Sequence, residues 1–276
     1  MCAPLKVIPL LLLLLSVCAC SNEPSAGTSK QKEITIHAAV SLSAMVRELG
    51  DRFSAKHNLS INYNFASSGA LARQLIAAPR GEIYLSANQQ WMQRALEANA
   101  VDRTSAQALF ANQLVLVSHT DAPIQTMEPL DICHATTMAT TRISIGDPDY
   151  VPAGQYARAW LQSLSCGESN AWEAVKERVI PATDAHAALA RVQANRDMIG
   201  IVYLTDYLTQ VNKLQLLHTI PTEATAPIHY YGAVINNSPH AATATAFLNY
   251  LQSKQNQQVV EKYGFTPINR SLTRLD

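Results

Sequence analysis

From Glu33 onward, short β-rich runs alternate with stretches whose apolar residues recur at helical spacing. Ile34 to Ala38 reads as a strand, and Leu42, Met45, Val46, Leu49 and Phe53 then fall on one face of a helix. A strand over Leu59 to Phe65, a helix over Gly69 to Ala78, a strand over Ile83 to Ser86 and a helix over Gln90 to Glu97 continue the alternation. Strands at Leu114 to Ser118, Ile143 to Gly146, Ile199 to Tyr203, Leu214 to Thr219 and His229 to Ile235 follow. Helices are expected over Ala153 to Leu164, Ala171 to Arg178, Ala185 to Asn195, Ala241 to Leu251 and Gln255 to Tyr263. The alternation predicts α/β architecture with parallel strands. The chain is expected to form two doubly wound α/β lobes, leaving the first near Gln113 and returning near Pro221 to Ile228, so that two crossovers make a hinge. The predicted lobes comprise residues 33–112 with 225–276, and residues 113–224.

The first 20 residues stand outside this pattern. Met1 to Lys6 carries a positive charge and Val7 to Val17 is almost unbroken apolar sequence, the form of a secretory signal. With about a dozen apolar residues, that run falls short of the roughly 20 a spanning helix needs. Residues 21–32 are polar, with Pro24, Gly27 and several serines, and read as a flexible leash. Export places Cys133 and Cys166 in an oxidising compartment, where they either form a disulfide or remain as thiols.

Acidic and basic residues balance at 21 each and only 15% of the chain is charged, so anion capture cannot rest on a global positive field. No G-x-S-x-G, H-E-x-x-H or P-loop pattern supports an enzyme. Three segments share a different design: a strand ends, small or hydroxyl residues follow, and a helix begins. They are Ala38 to Leu42, Phe65 to Leu71, and Gly146 to Gly154. The first helical amides lack internal partners and carry partial positive charge, so such a turn can hold an anion. Pro152 suits a first helical position and leaves the amides of Ala153 and Gly154 available. Taken singly, each turn is equally compatible with ordinary capping.

Together these segments resemble the molybdate-binding proteins of bacterial ABC importers. The resemblance is carried by Ala38-Ala39-Val40-Ser41-Leu42, Phe65 to Gln74, Ile83 to Asn88, Trp91-Met92, Gly146-Asp147-Pro148, Val151 to Ala157, Gly200 to Tyr203 and Tyr263-Gly264-Phe265, in order, from Ile34 to about Ile268. It implies a type II periplasmic binding protein fold, no cofactor, and molybdate or tungstate as ligand. Its ligand set falls on the hydroxyls and amides of Ser41 and Ser68, the amide of Ala153, an amide in the turn at Asp184-Ala185, and the phenol of Tyr203. The partners it implies are an importer permease and its ATPase, reached by a monomer in the periplasm. Val17-Cys18-Ala19-Cys20 resembles a lipobox, which would tether the protein to the membrane through Cys20; ordinary cleavage nearby would free it.

Every group in that set is a neutral donor, which suits a dianion without a proton; hydrogen phosphate would need an acceptor. Sulfate remains the alternative ligand, to be separated by size. The sequence departs from the family pattern at Val40, at Arg80-Gly81-Glu82 and at Ala185. His37 and His186 flank site positions without an assigned role, while Arg73 and Arg158 are expected to face away. Asp147, Asp149, Asp184 and Asp206 read as caps and turn residues, because carboxylates at the ligand would repel it.

Overall fold

The computed structural model describes residues 32–124, 126–133 and 141–268. The expected signal, Cys20 and the leash as far as Gln31 lie outside the described residues. Lys32, expected in the leash, instead opens β1 (Lys32–Ala39), where it pairs with Leu59. Period-two burial explains the strand: Ile34, Ile36 and Ala38 are fully buried, while Thr35 and His37 between them are half-buried.

Next come α1 (Ser43–His57), β2 (Leu59–Ala66), α2 (Ser68–Ala77), β3 (Ile83–Ser86), α3 (Gln89–Glu97) and β4 (Gln107–Asn112). Beyond Gln113 lie β5 (Leu114–His119), β6 (Arg142–Gly146), α4 (Pro152–Ser163), β7 (Ser165–Cys166), β8 (Ser169–Asn170) and α5 (Ala171–Val175). β9 (Val179–Ala182), α6 (Ala185–Ala194), β10 (Met198–Tyr203), α7 (Leu204–Leu208) and β11 (Leu214–Thr219) complete this middle portion. The chain then forms β12 (Ile228–Val234), α8 (Ala241–Leu251), α9 (Gln257–Lys262) and β13 (Thr266–Pro267).

Among the described residues, one six-stranded sheet has the order β13-β4-β12-β3-β1-β2, and one five-stranded sheet the order β11-β5-β10-β6-β9. Both are mixed. β1 runs parallel to β2 and β3, and β6 parallel to β9 and β10, but β12 is antiparallel to β3 and β4, and β5 antiparallel to β10 and β11. The strands flanking the crossovers thus depart from the parallel pattern. Apolar residues pack on both faces of each sheet: Leu71, Leu75, Trp91 and Met92 oppose the α1 side of the first, and Leu189 and Val192 pack with Val115, Val117 and Val202 of the second.

Besides the two-residue strands β7, β8 and β13, two longer strands were not anticipated. β4 is separated from β5 by Gln113 alone, so periodicity merged it into a boundary. β9 carries Pro181, which a strand tolerates at a sheet edge, and β9 is an edge strand. The helix expected over Ala171 to Arg178 ends at Val175 and tightens into a 3-10 turn, Lys176–Arg178, before that strand.

The crossovers are tied to one another. The side-chain amide of Gln113 donates to the Ile220 carbonyl at 2.7 Å, and the Gln113 N–H donates to Asn112 Oδ1 at 2.8 Å. Cys133 and Cys166 form a disulfide with Cα atoms 5.6 Å apart, joining the turn Pro129–Cys133 to β7.

Candidate functional site

All five predicted residues meet in one pocket at the ends of β1, β2, β6, β9 and β10. Ser41, Ser68, Ala153, Ala185 and Tyr203 line it together with Ala39, Val40, Ala66, Ser67, Ala87, Val151 and Pro152. No charged side chain belongs to this lining among the described residues. Each of the five is no more than 9% exposed.

At the end of β1 the chain makes a 3-10 turn, Val40–Leu42, before α1 begins, and Ser41 sits in the middle of that turn. Ser41 Oγ shares a 2.9 Å hydrogen bond with Tyr230 Oη. Tyr230 Oη also accepts from Asn112 Nδ2 at 3.0 Å. After β2, Ser67 caps α2 by accepting the Ala70 N–H at 3.3 Å. Ser68 is then the first helical residue, and its Oγ accepts the Ala87 N–H at 2.9 Å. That bond spends one lone pair of Ser68 and leaves its O–H free to donate.

On the other side of the pocket, Asp147 accepts the Asp149 N–H at 2.9 Å, shaping the loop that delivers Pro152 to the start of α4. Gly154 is required there, because a Cβ would lie 1.8 Å from the Gly146 carbonyl oxygen. Asp184 caps α6 through the Ala187 N–H at 2.8 Å, which places the Ala185 amide in the first turn. Tyr203 ends β10, wholly buried, and its Oη has no hydrogen-bond partner among the described residues. Burial, with Tyr230, Tyr156 and Asp206 nearby, pushes its pKa well up, so it remains a neutral O–H donor.

Further contacts join the two sides near the pocket. The Gly69 N–H donates to the Tyr150 carbonyl at 3.2 Å, and Asn88 Nδ2 donates to Gln155 Oε1 at 2.7 Å. The Arg73 guanidinium lies 5.2 Å from the Tyr150 ring centroid and 5.8 Å from that of Trp91. Arg73 is thus engaged with aromatic rings, and Arg158 pairs with Asp149 at 3.5 Å; neither lines the pocket.

His37 is turned to Arg80, whose carbonyl is 2.9 Å from Nε2, and burial lowers its pKa. Glu82, the other departure on this approach, accepts the Thr35 N–H at 2.5 Å. Both lie away from the pocket lining. His186 pairs with Asp206 at 3.4 Å, and Asp206 is only 2% exposed. Asp206 is therefore not a simple cap: it is a buried carboxylate, held by the histidine next to Ala185. Its pKa is raised by burial, and that of His186 is raised by the bond to Asp206.

Sequence reasoning missed Asn112, Tyr230 and Ala87, the groups that hold the two serines. Asn112 and Tyr230 are 118 positions apart, and no motif links them.

The model of the bacterial extracellular solute-binding protein family matches residues 34–266. The chain is 33% identical to the molybdate-binding protein ModA of Escherichia coli, over 85% of this chain and 89% of that protein. Among solved structures, the periplasmic molybdate-binding protein of Azotobacter vinelandii superposes with a TM-score of 0.74 at 16% identity, covering 86% of this chain and all of that one. The sulfate-binding protein SubI of Mycobacterium tuberculosis superposes with a TM-score of 0.73 at 14% identity, over 87% of this chain and 88% of its own. At these identities the two structures share the fold, and the fold alone does not choose between the oxyanions.

Proposed function

Because this chain belongs to the bacterial extracellular solute-binding proteins, and to the family of the molybdate-binding protein ModA, we propose that it captures molybdate, and tungstate with it, for an ABC importer. It is a binding protein and not an enzyme. The observation that carries the reading is the buried pocket in which Ser41, Ser68, Ala153, Ala185 and Tyr203 converge with no charged side chain in the lining among the described residues.

A tetrahedral dianion there would accept from the hydroxyls of Ser41, Ser68 and Tyr203 and from the backbone amides of the helical first turns. Hydrogen bonds to a charged acceptor contribute roughly 1.5–3 kcal/mol each, so several aimed donors offset much of the dehydration cost. Two of the donors stand on the first sheet's side and three on the second's. Ligand binding would thus favour the arrangement in which the sides meet, with the crossovers at Gln113 and 220–227 as the hinge. The closed form would dock on a permease whose ATPase supplies the energy, and acylation at Cys20 would keep the protein at the membrane.

Calorimetric titration of the mature protein with molybdate, tungstate, sulfate and phosphate tests this. Molybdate and tungstate should bind with similar affinity and far above the other two. Sulfate binding as tight as molybdate would sink the assignment. Small-angle scattering should show compaction on adding molybdate, and unchanged dimensions at saturation would refute the hinge.

A further inference from the structure

Two of the three serines that line the pocket, Ser41 and Ser68, are expected to donate to the ligand, and their protons are controlled differently. Ser68 Oγ accepts from a backbone amide, Ala87 N–H at 2.9 Å, a donor that cannot be reversed. Ser41 Oγ meets a phenol, Tyr230 Oη at 2.9 Å, and a hydroxyl pair can run in either direction. What decides the direction lies one bond further back.

Asn112 is 7% exposed and has three hydrogen bonds. Its Oδ1 accepts the Gln113 N–H at 2.8 Å, and its Nδ2 donates to Thr205 Oγ1 at 2.9 Å and to Tyr230 Oη at 3.0 Å. Turning the amide over would set N–H against N–H at Gln113, so the backbone holds Asn112 as a donor toward Tyr230. Among the described residues Tyr230 Oη has hydrogen bonds to Asn112 and Ser41, and the phenol of Tyr203 also stands beside it. Tyr230 is wholly buried. With an N–H already arriving from Asn112, its own proton finds an acceptor in Ser41 Oγ. Ser41 then accepts from behind and must send its proton forward, into the pocket.

We propose that Asn112 is a specificity-determining positioning residue, which, through Tyr230, makes Ser41 a donor and so lets the pocket refuse oxyanions that carry a proton. This rests on the reading of the pocket as an oxyanion site. Asp in place of Asn at 112 can still accept from Gln113 and from the Thr205 hydroxyl, but it accepts from Tyr230 instead of donating. Tyr230 would then accept from Ser41, and Ser41 would present a lone pair to the ligand. A protonated phosphate gains a partner by that reversal, and molybdate loses one.

The test is the ratio of molybdate to phosphate affinity near neutral pH, measured calorimetrically on the mature protein and on Asn112→Asp, Tyr230→Phe, Ser41→Ala and the Ser41→Ala/Asn112→Asp double variant. A ratio cancels the general weakening that an added buried carboxylate imposes on every anion. It should fall at least tenfold in Asn112→Asp. It should fall less in Tyr230→Phe, where Ser41 is free to rotate. In the Ser41→Ala background, Asn112→Asp should leave the ratio unchanged. An unaltered ratio in Asn112→Asp, or an equal fall with Ser41 absent, overturns the relay. Should Asn112→Asp fail to fold by circular dichroism, Tyr230→Phe decides alone, and a wild-type ratio there overturns it. If the wild-type protein binds none of molybdate, tungstate and sulfate, the oxyanion reading itself fails.

Discussion

The two sides of the pocket are prepared in different ways. On the first sheet's side, Ser41 and Ser68 are held from behind by Tyr230 and by the Ala87 amide, so each hydroxyl is already aimed. On the second sheet's side, Tyr203 Oη is buried with no hydrogen-bond partner among the described residues, and the donors of Ala153 and Ala185 are backbone amides at helix starts. One wall is satisfied internally and donates its surplus. The other carries an open polar cost that a ligand would relieve. Stability and affinity should therefore be coupled on the first wall and opposed on the second.

One change would keep the walls apart. In Gly69→Ala the new Cβ would lie 2.4 Å from the Tyr150 carbonyl oxygen and 2.7 Å from the Trp91 ring. Overpacking of this kind costs about 1–3 kcal/mol, and the part set by the Tyr150 carbonyl falls on closure, so molybdate binding should weaken by up to ~100-fold. Thermal melting of the unliganded protein should fall as well, since the Trp91 ring packs against α2 on the same side as Gly69 whether or not the walls meet. A normal affinity would show that this contact does not accompany binding.

Ser68→Ala comes next and should damage two properties together. Binding should weaken roughly 10- to 150-fold as one donor to a charged ligand is lost. The protein should also lose about 1–3 kcal/mol of stability, because the buried Ala87 N–H is left without an acceptor. Tyr203→Phe should weaken binding by a similar ~10- to 150-fold, yet leave the unliganded melting temperature unchanged or higher. Calorimetry and melting curves on the pair check the contrast. Equal destabilisation by both would erase the distinction between the walls.

The smallest effect is one of pH. His186 has its pKa raised by Asp206, so the stability it contributes is complete below its unperturbed value of about 6.5 and is lost as pH rises through the higher folded value. The raised pKa of Asp206 acts in the same direction, because the folded form holds that proton more tightly. Melting temperature should fall as pH increases above about 6.5, and His186→Asn should flatten that part of the profile. A flat wild-type profile there would refute the coupling.

Most of the alternation could be read along the chain, because Ile34, Ile36 and Ala38, or Met45, Val46, Leu49 and Phe53, carry their period locally. The serines and Pro152 were legible for the same reason: strand, small residue and helix start are neighbours in sequence. Ala185 was not, since a backbone donor leaves no side-chain signature, and only the family resemblance pointed to it. Asn112 and Tyr230 were invisible because their meeting depends on the pairing of β4 with β12. The buried state of Asp206 was equally hidden: a carboxylate in a short helix looks like a cap until its neighbours are known.

Gln113 carries a final consequence. It is the single residue between β4 and β5, and its side chain grips the Ile220 carbonyl where the chain starts its return. Bending at one connection therefore pulls on the other, which reduces the relative motion of the two sheets toward one angular coordinate. A fluorophore pair placed across the cleft should accordingly report two distances in partial saturation, with little signal between them. The importer would then read occupancy as a binary state, and a half-filled population would look like a mixture of open and shut molecules.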